Sequence, residues 1–323
     1  MDTRSLRYFQ VVAEYGSYSR GAGWLRISQP AVSRQIRRLE EELGRKLFRR
    51  NGQGVTLTDA GHVLLEHAQS AFRTLEQARA EIRAGGTGPA GTVAIAVPPA
   101  AGRWLVPPLA ARMAEAMPGV QLRVLGGFSG TIDDWLVRGT VDLALLHDPL
   151  PRKGFAITPL AEEEVCLVGL PGSPGVSQPH VRPADLLRLP LVLPGRPNHS
   201  RRLLDAWLAE AGGAPPPCVE ADDHSVIRAL LRAGAGYTLL TRGGFAPEAK
   251  RGELAGVPFR PRVTWTLSLV AATVPASAGP VQPLAALLRK VIAQAVREGW
   301  PARPLAAGRA GRRARLPRAG LAD

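Results

Sequence analysis

The 323-residue chain has two cysteines, Cys166 and Cys218, too far apart in sequence for any metal-ligand spacing. That scarcity gives no support to a disulfide framework or a thiolate metal site, and both thiols are expected to be lone buried groups in a reducing compartment. Its six histidines are scattered, and His62 and His67, five positions apart, do not share a helix face well enough to pair on a metal. No run approaches 18 apolar residues, and the N-terminus is charged and helix-forming without an apolar segment, so neither a membrane span nor a secretory leader is expected. Lysine is scarce too. Arginine supplies 37 of the 41 cations, a bias that, with abundant Ala, Gly and Pro, reflects a GC-rich genome as well as function. A cytoplasmic protein is expected, long enough for two to three domains.

The net charge of +14 is unevenly spread. Residues 1–50 carry 11 Lys/Arg against 5 acids, a net +6, and the last 25 residues carry 6 Arg against one Asp, a net +5. The long middle is nearly balanced. Cationic surface therefore concentrates at the two ends, as in chains that meet a polyanion. Catalytic signatures are missing. No G-x-G-x-x-G follows a strand, and Gly127-Phe128-Ser129-Gly130-Thr131 lacks the second glycine of a nucleophile elbow. No enzyme activity and no cofactor are expected.

The most informative stretch is Gly16–Gly44, GSYSRGAGWLRISQPAVSRQIRRLEEELG. Two helical segments flank a tight connection at Arg26–Ser28. The second carries Val32, Ile36, Leu39 and Leu43 at a 4-3-4 spacing, which puts them on one face. The opposite face holds Ser33, Arg34, Gln35, Arg37 and Arg38, long donors suited to phosphates and purine edges. Ser28 is a natural N-cap before Gln29-Pro30, because a first-turn proline has no N–H that needs a partner. Leu6, Phe9 and Val12 suit a supporting helix. Downstream, Leu47-Phe48 and Val55–Leu57 are strand-like around a polar Asn51-Gly52 turn, with Arg49 and Arg50 beside it. Three helices and a basic wing in about 60 residues describe a winged helix-turn-helix. A run such as Arg37–Glu42 also fits an ordinary solvated face with i,i+4 pairs.

LRYFQVVAEYGSYSRGA, SQPAVSRQIRRLEEELG, KLFRR and GVTLTDAG stand in the order and spacing found in the LysR-type transcriptional regulators, and the chain resembles that family from residue 2 to about 298. PPAAGRWLVPPL, GGFSG and RAGAGYTLL resemble its nitrogen-regulator-like branch. There are departures. Gly21 and Gly23 fall inside the second helix, where interior glycine costs roughly 0.5–1 kcal/mol. Gln53 occupies the wing tip where many relatives carry arginine, which leaves the usual minor-groove contact from that position unsupported.

The resemblance implies double-stranded DNA as a partner, bound at a pseudo-palindromic site by a homodimer or homotetramer, with contact to RNA polymerase a further possibility. Gln29, Ser33 and Arg34 are the base-edge candidates. Arg37, Arg38, Arg49 and Arg50 are expected on phosphates, with Ser28, Pro30 and Gln53 at the same surface. The DNA-binding unit would occupy 1–58.

A linker and dimerisation helix would follow over 59–88. Thr58-Asp59 can cap a helix running to about residue 84, with Leu64, Ala68, Ala71, Leu75, Ala78 and Ile82 in a heptad seam. Such a narrow seam suits pairing with a second copy. From Thr92 onward short apolar strands alternate with helices: Thr92–Val97, Arg103–Met117, Val120–Leu125, Thr131–Gly139, Val141–Leu146. This is βαβ patterning, hence a parallel sheet. Later strands are expected at Glu164–Gly169, Leu191–Pro194, Val219–Ala221, Tyr237–Thr241 and Thr264–Thr273. Helices are expected at Arg201–Ala211, Ser225–Ala233 and Pro283–Glu298. The resemblance implies that 92–298 forms two Rossmann-like subdomains of periplasmic-binding-protein type, about 92–163 with 266–298, and about 164–265. The tail 299–323 has few bulky apolar residues and is expected to be disordered.

Open α/β sheets bind ligands beyond the carboxyl ends of strands, where helix N-termini offer unpaired N–H groups. The loops in question are Pro98–Arg103, Gly127–Thr131, His147-Asp148, Arg196–Arg201 and Asp222–Ser225. The resemblance implies a small-molecule effector between the subdomains at these loops, with Pro99, Ala100, Ser129, Thr131, His147, Arg196, Asn198 and His199 as candidates. Ala100 stands where relatives often have a hydroxyl residue. Arg196 and the helix N-termini point to an anionic effector. A rival reading remains open, a small-molecule binding protein or enzyme whose basic N-terminal domain only tethers it.

Overall fold

In the computed structural model the described residues are 1–305, without 53, 84, 86–87, 197, 211, 214–216 and 274–279; the side chains at 77, 81, 199, 200, 203 and 210 are also outside the description. The wing-tip Gln53, the His199 side chain and most of the basic tail therefore lie outside the described residues. The chain divides into two compact units, Met1–Gly85 with Val137–Thr140, and Gly86–Leu136 with the chain from Val141 onward.

The first unit begins with α1 (Thr3–Tyr15), whose N-cap Asp2 accepts the Ser5 N–H at 2.6 Å and which ends on Gly16 in the left-handed region. Next come α2 (Tyr18–Leu25) and α3 (Gln29–Leu43), joined by Arg26 at φ 55°. The hairpin β1 (Phe48–Asn51) and β2 (Gly54–Leu57) pairs Phe48 with Leu57 and Asn51 with Gly54. Phe9, Val12, Ala22, Val32, Ile36, Leu39, Leu47, Phe48 and Val55 make the core of this unit. Leu43 does not join it. It is 40% exposed, because the stripe has rotated off the core by the last turn of α3. The glycine at 21 has a packing reason: a Cβ there would lie 3.1 Å from Val12 Cγ2, so α1 and α2 cross close. Gly23 faces open space.

Thr58 Oγ1 accepts the Gly61 N–H at 3.1 Å and opens α4 (Asp59–Arg83). The first turns of this helix pack Ala60, Leu64 and Leu65 against the core, and Ala68 is buried. Beyond that Ala71, Leu75, Ala78 and Ile82 are exposed, Ile82 by 79%.

The second unit contains β3 (Gly91–Val97), α5 (Pro99–Ala116), β4 (Val120–Gly126), α6 (Ser129–Val137), β5 (Leu143–His147) and β6 (Phe155–Gly169). Then follow β7 (Val192–Leu193), α7 (His199–Glu210), β8 (Val219–Glu220), α8 (His224–Arg232), β9 (Thr238–Thr241), α9 (Arg242–Lys250), β10 (Ala255–Pro258), β11 (Thr264–Ala272), α10 (Val281–Arg297) and β12 (Ala302–Pro304). The eight-stranded sheet runs β10-β6-β11-β5-β3-β4, with β9 and β12 also paired to β6.

The βαβ strands are parallel as expected, and the sheet as a whole is mixed. β3 pairs β4 and β5 in parallel, but β11 runs antiparallel to both β5 and β6, and β9, β10 and β12 run antiparallel to β6. β6 also starts at Phe155 rather than Glu164. Its 15 residues serve two cores, since Leu160 and Ala161 pack with β3, α5 and α10, whereas Val165 and Leu167 pack with Leu186, Leu204 and Trp207. On β11 the same change falls between Leu267 and Trp265, and the β6–β11 register shifts at Leu267/Ser268. Two lobes thus share two long strands.

Three further corrections concern the second unit. Helix α9 and strand β10 were not anticipated, because RGGFAPEAK carries two glycines and a proline, poor helix formers. Those glycines are packing choices: a Cβ on Gly243 would lie 2.8 Å from Trp300 Nε1, and one on Gly244 would lie 3.3 Å from the Ala100 Cβ. The start of the tail is ordered, since Trp300 is 1% exposed in the α5/α10 core, β12 pairs Ala302 with Glu163, and the Leu305 N–H donates to the Leu160 carbonyl. Finally, Cys218 is exposed, and only Cys166 is buried. Burial pushes the Cys166 thiol up to about 11.

Candidate functional sites

In the first unit, α3 presents one polar face. Ser28, Gln29, Pro30, Arg34, Arg37 and Arg38 are exposed, Ser33 is half-buried, and Arg49 and Arg50 are exposed on β1. Ser28 takes the N-cap position without a side-chain cap bond, so its hydroxyl is not committed to the helix end. Gln29 Nε2 donates to Ser33 Oγ at 2.9 Å, an i,i+4 contact that ties two base-edge candidates into one surface. Arg49 Nε donates to Thr56 Oγ1 at 3.2 Å across the hairpin.

Glu40 shows why the acidic end of α3 is more than a solvated face. It is buried, its Oε1 accepts the N–H groups of Leu47 and Phe48 at 2.9 and 3.4 Å, and its Oε2 meets Lys46 Nζ at 2.7 Å. The carboxylate therefore fixes where the wing leaves the recognition helix.

In the second unit a cavity of about 90 Å³ lies where the strands of both lobes end. That is room for a molecule of a few heavy atoms. Its lining includes Pro98, Pro99 and Ala100 at the start of α5, Phe128 and Ser129 at the start of α6, His147, Asn198, His224, Thr241 and Trp265. Of the sequence candidates, the structure brings together Pro99, Ala100, Ser129, His147 and Asn198. Thr131 is exposed on α6 and does not line the cavity. Arg196 is also away from it: 66% exposed, its Nε and Nη2 donate to Asp205 Oδ2 at 2.9 and 2.8 Å. A surface acid takes this guanidinium, and the anion argument loses its arginine.

The donors that do line the cavity are of other kinds. Helices α5 and α9 open on it through Pro98 and Thr241, and neither N-terminus has a side-chain cap. Tandem prolines at 98 and 99 leave Ala100 and Ala101 as the N–H groups of the first turn, since the Gly102 N–H is bonded to the Pro98 carbonyl. By contrast Asp223 caps α8, accepting from Ser225 and Val226 at 2.8 and 2.9 Å. Trp265 Nε1, Thr241 Oγ1 and His224 Nδ1 are buried without partners. Burial, then the nearby guanidinium groups of Arg228 and Arg103, pull His224 down to about 4, so the ring is neutral at neutral pH.

His147 sits at the carboxyl end of β5, with Nε2 2.7 Å from Glu163 Oε2 and its ring 5.6 Å from that of Trp265. Glu163 is fully buried behind it. Asp148 follows at φ 42°, and burial raises its carboxyl above the usual range. Phe128 and His224 lay inside loops singled out from the sequence, though neither was among the candidate side chains; Thr241 and Trp265 lay outside those loops. Nothing local marks Thr241 and Trp265, because they reach the cavity only through the strand crossings.

Two family descriptions match this chain: "Bacterial regulatory helix-turn-helix protein, lysR family" over residues 3–62, and "LysR substrate binding domain" over residues 86–293. The chain belongs to the LysR family. Among curated LysR-type relatives, the HTH-type transcriptional regulator BbuR of Bordetella bronchiseptica is 34% identical over 313 residues, covering 95% of each chain. The nitrogen assimilation regulatory protein nac of Klebsiella aerogenes is 30% identical, over 79% of this chain and 81% of that protein.

Solved LysR-type folds agree. ArgP from Mycobacterium tuberculosis superposes with a TM-score of 0.67 at 20% identity, over 90% of this chain and 97% of that one. Full-length CbnR in complex with its target DNA superposes with a TM-score of 0.61 at 23% identity, covering 91% of this chain and all of that chain. As a LysR-family protein this is a DNA-binding transcriptional regulator with a small-molecule-binding domain; its matched relatives are regulators, not enzymes. LysR regulators form oligomers. No described helix is long and apolar enough to cross a membrane.

Proposed function

We propose that this LysR-type regulator reads a pseudo-palindromic promoter site in the cytoplasm as a homodimer or homotetramer, paired through the seam of α4. Gln29, Ser33 and Arg34 reach base edges, and Arg37, Arg38, Arg49 and Arg50 hold phosphates. A small anionic effector in the cavity between the lobes sets the regulatory state and, through it, contact with RNA polymerase. The observation that carries the effector reading is the cavity lining: two helices without side-chain caps begin at it, and three of its residues carry a buried, unpartnered polar atom. Such amides and dipoles favour negative charge without any arginine.

A thermal-shift screen of anionic and neutral metabolites tests this, since a ligand that binds only the folded state raises the melting temperature by mass action. Anions should stabilise the wild type, Ser129→Ala should weaken the response, and Arg196→Ala should leave it intact. Stabilisation by neutral apolar compounds alone, equal in both variants, would overturn the anion reading.

A further inference from the structure

A guanidinium carries hydrogen-bond donors and no acceptor. Arg228 Nη2 lies 2.9 Å from His224 Nε2, so that ring nitrogen must accept, and the proton of the neutral ring must sit on Nδ1. Arg228 is held where it is. It is buried, it pairs with Glu248, and its Nη2 also donates to the Gly244 carbonyl. Glu248 is anchored from the other lobe by Arg103 Nη1, at 3.1 and 3.2 Å from its two oxygens. Moving Arg228 away would leave a buried carboxylate short of a partner. Asp223 also acts on the ring, and it is engaged by Ser225 and Val226.

His224 Nδ1 is buried and unpartnered, in a ring that lines the cavity. Trp265 Nε1 is in the same condition, on a side chain 6% exposed, and an indole nitrogen can only donate. Trp207 and Trp300 also bury unpartnered indole nitrogens, but neither lines the cavity. Of the other buried unpartnered atoms nearby, Glu163 Oε1 and Asp148 Oδ2 belong to residues outside the lining, and Thr241 Oγ1, on a lining residue, is a hydroxyl that can turn its hydrogen toward an acceptor.

We infer that His224, locked by Arg228 as the Nδ1–H tautomer, is a specificity-determining donor that, with Trp265 Nε1–H, selects an effector group offering acceptor oxygens and no hydrogen. An ionised carboxylate or oxoanion fits; the matching amide would set its own N–H against a fixed donor. The inference rests on the cavity being the effector site. Arg228 acts here as a positioning residue, through His224 and not through the ligand.

The test uses the full-length protein with ¹⁵N-labelled histidine and tryptophan. The chain has six histidines, so long-range ¹H–¹⁵N spectra stay simple, and His224→Phe assigns the signal by its loss. The ligand-free wild type should show His224 neutral and Nδ1-protonated across neutral pH, and Arg228→Met should move it toward the commoner Nε2–H form. A wild-type ring that is Nε2-protonated, or that titrates like a free histidine, would overturn the proposal even if Arg228→Met failed to fold.

Acetate, benzoate and sulfate are then titrated beside acetamide and benzamide. The anions should shift the His224 Nδ1 and Trp265 Nε1 signals, with about tenfold weaker binding in His224→Phe and recovery in His224→Asn, whose amide N–H stands near the Nδ1 position. Absence of any Nδ1 shift with all three anions overturns the donor role. Benzamide shifting both signals as benzoate does overturns the selection, while leaving the cavity a ligand site. An anion that raises the melting temperature without moving either signal overturns the cavity reading itself, and with it this inference.

Discussion

Glu40 Oε1 accepts the backbone N–H of Leu47 at 2.9 Å, so one buried carboxylate joins the recognition helix to the wing. Glu40→Ala leaves the Leu47 and Phe48 N–H groups without that acceptor, which should cost about 1–3 kcal/mol in denaturant unfolding. DNA affinity should fall with it, because Arg49 and Arg50 stand on the strand this bond positions. Glu40→Gln keeps an acceptor oxygen and should lose much less. Equal losses in both variants would assign the effect to the Lys46 ion pair instead.

The exposed face of α3 separates two kinds of contact. Arg34→Ala should cost about 1–3 kcal/mol on the cognate site and relax preference at one position per half-site. Arg38→Ala should weaken all sequences alike and flatten the salt dependence. Gel-shift titrations at several salt concentrations decide; identical losses on cognate and random DNA for Arg34→Ala would remove it from the base-reading set.

Leu75 is 43% exposed on α4, in the seam proposed to meet a second copy. Leu75→Asp would bury a charge against its own counterpart, so sedimentation should show monomers and DNA binding should collapse. An intact oligomer with normal DNA binding would place the dimer contact elsewhere.

Trp300→Ala empties a buried position in the α5/α10 core and should cost about 3–5 kcal/mol. For a domain of this size that lowers the melting temperature by roughly 6–20 °C. A chain ended at Leu305 keeps Trp300 and β12 and should melt with the wild type. A small effect of Trp300→Ala would show that the segment is not docked as described.

His224 is held near 4 in the folded chain against an ordinary 6.5. A base whose folded value is depressed favours its neutral form, so its contribution to stability is complete above 6.5 and is lost as the pH falls toward 4. Melting temperature should decline over that interval, and His224→Asn should flatten the decline. An unchanged slope in the variant would assign the acid sensitivity to other groups.

The sequence by itself determined the DNA-binding unit almost entirely. Its helices, caps, wing and exposed arginines follow from local spacing and capping, which act between residues a few positions apart, as in Val32, Ile36 and Leu39 on one face of α3 and Gly44 at its end. It also placed most strands and helices of the second unit, and five side chains of the cavity, because loops after strands follow a local pattern. Only the tertiary structure decided the rest. Trp265 and Thr241 reach the cavity because β11 and β9 pair with β6, and Trp300 is a core residue because β12 covers the free side of that strand. Arg196 is drawn to Asp205, nine residues on, while Arg228 is drawn to His224 and Glu248. Which acid an arginine meets depends on burial and distance in three dimensions, and composition or periodicity carries neither.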